Sequence, residues 1–286
     1  MKPGKPLNRT ALRSHPLPPV VGGDKDSHGQ ILIVAGSREV PGAALLAATA
    51  AMRAGAGKLQ IATVESIAPR LGVAMPEAMV VGLTEHRDGG FAKSAVTRIA
   101  ELAADADAIV AGPGVAPGEP CRRIADALLK SRAALALDAA LLHSLPAPKA
   151  DRSPLSVLLP HSGELASLLD CDEEEVESDP LGCGLRAAKR FRSLVLVKGV
   201  TSHVVDPDGR AWTYSGGAPG LGVSGSGDVL AGIVGGLLAR GADPLSALLW
   251  GVWLHGEAGA ALATTVGPIG FLAREIADEL PALMLR

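Results

Sequence analysis

The chain has 286 residues, of which 48% are hydrophobic, and this is enough apolar material for one large α/β domain or two smaller ones. A net charge of −3 and an aromatic content of 2% argue against a nucleic-acid surface, because such surfaces are usually basic and often stack bases on aromatic rings. The three cysteines lie far apart and form no CxxC pair, so we expect neither a disulfide framework nor structural zinc, and we expect a cytoplasmic location.

The beginning of the chain carries no targeting signal that we recognise. Residues 1–20 are basic and rich in proline, but they lack the apolar segment of a secretory signal. No stretch of the chain reaches 18 uninterrupted apolar residues. We therefore expect no membrane partner, and we interpret residues 1–25 as a loosely ordered lead-in with one short helix.

From residue 30 onward, buried strands alternate with helices. The apolar runs predict strands at 30–36, 58–63, 78–83, 107–112, 133–138, 156–160 and 193–199, with helices between them. Residues 202–215 predict a β-hairpin through Pro-Asp-Gly, and the chain after Asp228 is predicted to be helical. Continuous apolar strands separated by helices indicate a mostly parallel sheet covered on both faces, which is a three-layer α/β/α fold with a helical C-terminal part.

Ligands of such sheets bind beyond the carboxyl ends of the strands, and this chain has glycine-rich or polar loops at those points. A further glycine-rich stretch, GVSGSGDVLAG at residues 222–232, precedes the helical end of the chain. A helix that begins near Ser226 or Gly227 presents free N–H groups to an anion, and the small residue Gly225 allows the anion to approach. Asp228 then lies in the first helical turn, either as a helix-start residue or as a general base beside a bound phosphate.

Two further loops combine polar side chains with exposed backbone. Lys198 follows a strand and precedes Thr201 and Ser202, an arrangement that suits either phosphate binding or an ordinary turn. His161 and Glu164 mark a strand-to-helix junction, where the histidine either faces a substrate or caps the helix. One histidine and one glutamate do not complete a zinc site.

Small residues border the predicted cleft on its other side. Gly114 follows a strand, in a tight turn or where a side chain would obstruct a ligand, and Ala43 begins a helix. Asp138 follows another strand, where it either binds Mg²⁺ through water or caps the next turn.

Taken together, these segments resemble the ADP-dependent NAD(P)H-hydrate dehydratases, whose domain has a ribokinase-like fold. The resemblance covers the chain from about residue 28 onward, and residues 26–286 are therefore interpreted as a single domain. It is carried by AGSREVPGAALLAATAAMRAGAGKLQIAT, AGPGV, LDAALL, LPHSGELASLL, VLVKGVTSHVVDPDG and GLGVSGSGDVLAGIVGGLLARG, in that order. Three positions depart from the family pattern: Ala140, Leu159 and Ser162 stand where an aspartate, a threonine and a proline are expected.

The resemblance implies a repair reaction on damaged NADH or NADPH. The 6S hydrate of the cofactor receives the terminal phosphoryl group of ADP on its extra hydroxyl, and phosphate is then eliminated to restore NAD(P)H. Mg²⁺ is the expected cofactor and offsets phosphate charge. The residues leave two choices open, between ADP and ATP and between the hydrates of NADH and NADPH.

The resemblance also assigns roles to individual residues. Asp228 becomes the base and contacts the hydrate. The hydrate pocket is lined by Ala43, Gly114 and His161. The nucleotide contacts are Lys198, Gly199, Val200, Thr201, Ser202, Gly225, Ser226 and Gly227.

The resemblance has consequences for partners. An epimerase domain that is often fused to the family is not found in this sequence, so we expect the other epimer to be converted either spontaneously or by a separate epimerase. Homotetrameric family members imply a homotetramer. Two other functions remain alternatives: a small-molecule kinase on the same fold, and a non-catalytic nucleotide-binding regulator.

Overall fold

The computed structural model describes residues 4–19, 22, 25, 27–143, 145–146, 148 and 152–285. Within these residues the chain forms a single sheet of ten strands. The strands are Lys5–Pro6 (β1), Gln30–Val34 (β2), Lys58–Val64 (β3), Ala78–Leu83 (β4), Ala108–Ala111 (β5), Ala134–Leu137 (β6), Val157–Leu158 (β7), Leu194–Val197 (β8), Ser202–Val205 (β9) and Ala211–Tyr214 (β10).

The strand order is β1-β10-β9-β8-β7-β6-β5-β2-β3-β4. All neighbouring strands from β8 to β4 run parallel, and β9 runs antiparallel to both β8 and β10. The predicted mostly parallel sheet is therefore confirmed, and so is the hairpin formed by β9 and β10. The central strands β5 and β8 are buried along their whole length, because helices cover both faces of the sheet.

The helices lie between the strands, and three long ones follow the hairpin, as the sequence predicts. They are Arg9–Leu12 (α1), Gly42–Arg53 (α2), Ala68–Ala74 (α3), Ala95–Ala104 (α4), Glu119–Leu129 (α5), Ser162–Leu169 (α6), Glu173–Ser178 (α7), Pro180–Phe191 (α8), Ser226–Ala239 (α9), Pro244–Thr265 (α10) and Ala273–Met284 (α11). Helix α9 packs closely on α2, since Gly232 and Gly236 bring its backbone against Ala47 and Ala51. None of the helices described is long and apolar enough to cross a membrane.

The direction in which strands are added reverses once in the sheet. The chain places β3 and β4 on one side of β2, and then returns to place β5, β6, β7 and β8 on the other side. The two connections that leave β2 and β5 at their carboxyl ends therefore lead in opposite directions along the sheet. Ligands of open α/β sheets bind beyond the strand ends at such a reversal.

The first residues of the chain correct one prediction. Residues 4–19 are not a loose lead-in, because β1 pairs in parallel with β10 and the Leu7 N–H donates to the Thr213 carbonyl at 2.7 Å. Leu12 in α1 is buried, and the Trp250 indole donates to the His15 carbonyl at 2.7 Å. The short helix expected in this segment is present as α1, but a two-residue strand is too short to show an alternating pattern, which is why the sequence does not reveal β1.

Candidate active site

Five loops meet at the carboxyl edge of the parallel strands. They follow β2, β5, β6, β7 and β8, and they contain the residues that the sequence singles out there. The N-terminus of α9 lies at the same edge, since the Lys198 ammonium after β8 is 3.6 Å from the position that a Cβ on Gly227 would occupy. The structure thus brings the glycine-rich stretch and the predicted phosphate-binding lysine together.

Helix α9 begins at Ser226, as predicted. Gly225 precedes it with a φ of +88°, and a Cβ at this position would collide with the side chain of Leu46 on α2. The left-handed backbone favours glycine here, and a Cβ would also force the Leu46 side chain to move. The Ser226 N–H donates to the Val223 carbonyl at 3.1 Å, whereas the N–H groups of Gly227 and Asp228 lie in the first turn, where no intrahelical acceptor exists. These two N–H groups and the helix dipole can bind an anion.

The Ser226 side chain does not face this anion site. It is buried, and its hydroxyl lies 2.9 Å from Nε2 of His255 on α10. Burial lowers the pKa of His255 to about 4, so this imidazole is neutral at pH 7 and holds the start of α9 through the Ser226 hydroxyl and carbonyl. A nucleotide contact by Ser226 would accordingly have to use its backbone.

Lys198 lies among carboxylates. Its Nζ donates to Asp138 Oδ1 at 2.8 Å and is 3.8 Å from Glu164 Oε2. Burial works to lower the pKa of Lys198, but the attraction of Asp138 and Glu164 outweighs it and the pKa lies above its ordinary value. The ammonium is therefore charged and available at the anion site.

Asp228 is the third residue of α9 and is half-buried in the same cleft. Burial is the main cause that raises its pKa to about 6; the negative charge of Asp138 adds to the rise and Lys198 opposes it. A carboxylate with this pKa is mostly ionised at pH 7 and is still basic enough to accept a proton from a hydroxyl, as a general base must.

His161 caps α6. Its Nδ1 accepts the Gly163 N–H at 3.1 Å and the Glu164 N–H at 3.4 Å, while Glu164 accepts the His161 N–H at 2.9 Å. These reciprocal bonds form a capping box. The imidazole is nevertheless 58% exposed. The structure therefore shows the capping role, and the exposed ring leaves a substrate contact as a prediction.

Ala43 and Gly114 meet beyond the ends of β2 and β5, where the strand order reverses. A Cβ on Gly114 would come within 2.6 Å of the Ala43 Cβ and 2.7 Å of the Val40 carbonyl oxygen, and Gly114 has a φ of +62°. Close packing and a tight turn therefore require glycine here, and Ala43 is 3% exposed. The structure places both residues at this reversal of the strand order, and their contact with a hydrate remains a prediction.

The loop after β8 is exposed to solvent at Gly199 and Val200. Val200 is fully exposed, and the Ser202 hydroxyl donates to the Gly199 carbonyl at 3.3 Å. The Thr201 hydroxyl lies 3.5 Å from that of Ser215 at the end of the hairpin. This loop follows β8, whereas Ala43 and Gly114 lie beyond β2 and β5. His161, the third predicted hydrate residue, follows β7, the strand next to β8.

For Asp138 the sequence left two roles open, Mg²⁺ binding through water and capping of the next turn. Asp138 makes no capping bond to the 3-10 turn that follows it, and its carboxylate instead accepts the bond from Lys198. The signal in the sequence was a charged residue directly after an apolar strand. Among the described residues, no three His, Cys, Asp or Glu side chains lie close enough to hold a metal ion by themselves.

A sequence model of the NAD(P)H-hydrate dehydratase family matches residues 31–282. The chain belongs to this family. A relative from Xanthomonas campestris, an ADP-dependent (S)-NAD(P)H-hydrate dehydratase, is 47% identical over 98% of this chain and 96% of its own length. A bifunctional NAD(P)H-hydrate repair enzyme from Moorella thermoacetica is 33% identical over 92% of this chain, and the match spans about half of that longer relative.

Solved structures agree with the family assignment. The ADP/ATP-dependent NAD(P)H-hydrate dehydratase of Bacillus subtilis, co-crystallised with ATP and Mg²⁺, superposes with a TM-score of 0.87 at 29% identity, covering 99% of this chain and 98% of that one. A ribokinase-like superfamily protein from Enterococcus faecalis superposes with a TM-score of 0.82 at 24% identity, covering 98% and 95%. The predicted ribokinase-like fold is confirmed.

Proposed function

We propose that this chain is an ADP-dependent (S)-NAD(P)H-hydrate dehydratase, which restores NAD(P)H from its 6S hydrate. One observation carries the proposal: a charged lysine, the free N–H groups of α9 and a carboxylate with a pKa of about 6 lie at one edge of the sheet. This set fits a phosphoryl group and the hydroxyl that receives it. Membership of the family supports the choice of substrate.

The proposed reaction has two steps. Asp228 takes the proton of the extra hydroxyl on the nicotinamide ring while the terminal phosphoryl group of ADP moves to that oxygen, and AMP leaves. The C–O bond then breaks, phosphate departs with the bonding pair, and loss of a ring proton completes the double bond of NAD(P)H. The first step has a clear purpose, because hydroxyl is a poor leaving group and phosphate is a good one.

The remaining site residues hold the two ligands. Lys198 and the backbone of Gly227 would bind the phosphates, and the backbone of residues 199–202 would contact the rest of the nucleotide, with Gly225 allowing the approach. Ala43, Gly114 and His161 would border the hydrate. Ala43 and Gly114 lie beyond β2 and β5, and His161 follows β7, next to the strand that carries the proposed nucleotide loop.

Mg²⁺ would enter with the nucleotide. No group of three metal-ligating side chains stands ready among the described residues, but Mg²⁺ usually keeps several waters and binds substrate phosphates with one or two carboxylates. Asp228 and Glu164 are carboxylates at the same edge as the proposed phosphate site. When bound, the ion would offset the charge of the phosphate oxygens.

Several expectations about partners belong to this proposal. A separate epimerase would convert the other epimer of the hydrate, and bifunctional relatives support the pairing of the two activities. The homotetramer and the cytoplasmic location remain predictions.

A vitamin or sugar kinase on the same fold is the second candidate, because it would use the same base and the same anion site. The two functions differ in their products. A kinase would release a phosphorylated product, whereas the dehydratase releases inorganic phosphate and recovers the reduced nicotinamide ring.

The proposal is tested by mixing the purified chain with NADH hydrate, Mg²⁺ and either ADP or ATP. We expect recovery of the absorbance of reduced nicotinamide, together with AMP and phosphate from ADP. Asp228→Asn should lower turnover by about 10²- to 10⁴-fold, since it removes the base. The control is Asp278→Asn, which removes an exposed carboxylate paired with Arg53. A folded wild-type chain that shows no recovery with either nucleotide would contradict the proposal.

A further inference from the structure

We propose that Asp138 is a positioning residue, which holds the Lys198 ammonium beside the N-terminus of α9 so that a phosphate-binding site exists before the nucleotide arrives. This inference rests on the proposed function only in requiring that the site binds nucleotide phosphate. Asp138 would touch neither the hydrate nor the nucleotide, and would act through Lys198.

The pair formed by Asp138 and Lys198 is poorly explained by stability. The Asp138 side chain is 4% exposed and that of Lys198 is 19% exposed. Removing two charges from water is costly, and well-packed apolar residues in place of such a pair are often as stable or more stable. A functional role of the pair would explain why the chain keeps these two charges away from water.

The backbone around Asp138 is also strained. Ala139 has a φ of +49°, a left-handed conformation that a residue with a Cβ seldom adopts. Gly112, after β5, has a φ of +125°, and a Cβ there would collide with the Asp138 carbonyl. Strained backbone of this kind persists only where its surroundings impose it, and it clusters at functional sites. Here it places the start of the loop after β6 tightly against the loop after β5.

The Asp138 carboxylate accepts its side-chain hydrogen bond from Lys198. Although Asp138 precedes a 3-10 turn, its side chain makes no capping bond there. Its bond to Nζ measures 2.8 Å, whereas Glu164 lies 3.8 Å from Nζ and also accepts the His161 N–H in the capping box of α6. Asp138 is thus the closer partner, and Glu164 is shared with the helix cap.

The ammonium that Asp138 holds lies at the anion site. Nζ is 3.6 Å from the position of a Cβ on Gly227, whose N–H is free in the first turn of α9. A lysine ammonium has three donors, and the bond to Asp138 uses one of them. The other two are therefore available to phosphate oxygens without a change in the lysine side chain.

The test compares Asp138→Asn with Asp206→Asn. Asp206 is also a buried carboxylate paired with a cation, Arg210, but it lies in the turn between β9 and β10 and outside the cleft. Both variants should lose thermal stability. Only Asp138→Asn should also weaken ADP binding, measured by calorimetry, by about 10- to 100-fold, the range of one charge-assisted hydrogen bond.

A double-mutant cycle separates positioning from a general structural role. We expect Lys198→Met to weaken ADP binding about as much as the double variant Asp138→Asn with Lys198→Met, because Asp138 acts through Lys198. If Asp138→Asn does not fold, Asp138→Glu replaces it in both measurements. It keeps the charge but displaces the carboxylate, and we expect a smaller loss of affinity that again disappears when Lys198 is methionine.

Three results would overturn the inference: ADP binding that is unchanged or tighter in the Asp138 variants, effects of the two substitutions that simply add, or a wild-type chain that binds no ADP. Failure of the proposed function gives another result: the wild-type chain binds ADP but does not restore NADH. The double-mutant cycle on ADP binding can then still be interpreted.

Discussion

At the carboxyl edge of the sheet, neighbouring groups set the pKa values of single residues. Asp228 would be an ordinary aspartate in water, but burial and the charge of Asp138 raise its pKa to about 6 against the opposing effect of Lys198. The carboxylates of Asp138, Glu164 and Asp228 in turn keep Lys198 protonated. One compact set of side chains therefore supplies a base and a cation at neutral pH.

The pKa of Asp228 predicts the pH dependence of the reaction. A general base works only when deprotonated, and the protonated fraction grows as the pH falls through the pKa. We therefore expect kcat/KM to decrease below pH about 6, by about tenfold per pH unit. The measurement is a pH profile, with the unfolding transition recorded at each pH as a control. Activity that stays level down to the ordinary aspartate pKa of about 3.9 would contradict the prediction.

His161 has a cap role in the structure and a proposed substrate role, and two substitutions separate them. His161→Ala should lower the free energy of unfolding by about 0.5–2 kcal/mol, because the cap of α6 is lost. His161→Asn keeps a capping oxygen and should restore most of that stability. If the exposed imidazole contacts the hydrate, both variants raise the KM for the hydrate. A wild-type KM for His161→Asn would restrict His161 to capping.

Among the elements, α9 connects the packing of the fold to the proposed chemistry. Its glycines allow it to lie directly on α2, and Gly225 places its first turn against Leu46. The position of the free N–H groups is thus set by helix packing as much as by the glycine-rich loop. His255 of α10 fixes the same turn from the other side.

Gly225→Ala should displace the start of α9. We expect ADP binding to weaken by about tenfold or more, which corresponds to about 1.4 kcal/mol, because the new Cβ meets Leu46 and the N–H groups move. Gly241→Ala is the matched control: Gly241 has a similar φ of +84°, but a Cβ there meets nothing within 4 Å. Both variants bear the cost of a left-handed alanine, so equal ADP affinities in the two would contradict the prediction.

At the scale of the whole molecule, residues from the beginning of the chain complete the far edge of the sheet. β1 pairs with β10, Leu12 packs into the core, and the His15 carbonyl binds Trp250 of α10. This segment lies at the end of the sheet that carries the hairpin. We therefore expect this segment to contribute to the stability of the fold.

Leu12→Ala should lower the free energy of unfolding by about 2–5 kcal/mol, since it leaves a cavity beneath α1. The measurement is chemical denaturation, with kcat recorded at a temperature where both proteins are folded; kcat should stay close to the wild-type value. Leu285→Ala is the control, because Leu285 is 89% exposed and its loss should change stability by less than about 0.5 kcal/mol. Equal stabilities of the two variants would show that α1 is not held in the core.

The sequence by itself determined the mostly parallel α/β fold, the hairpin, the helical C-terminal part and the start of α9, because strand and helix periods and glycine-rich turns are local properties of the chain. Only the tertiary structure decided which side chains meet. Asp138 and Lys198 are 60 residues apart and pair because β6 and β8 flank the short β7. Ser226 belongs to the predicted anion loop, yet its side chain is buried because α10 places His255 behind it. Such outcomes depend on strand order and helix packing, which no local pattern contains.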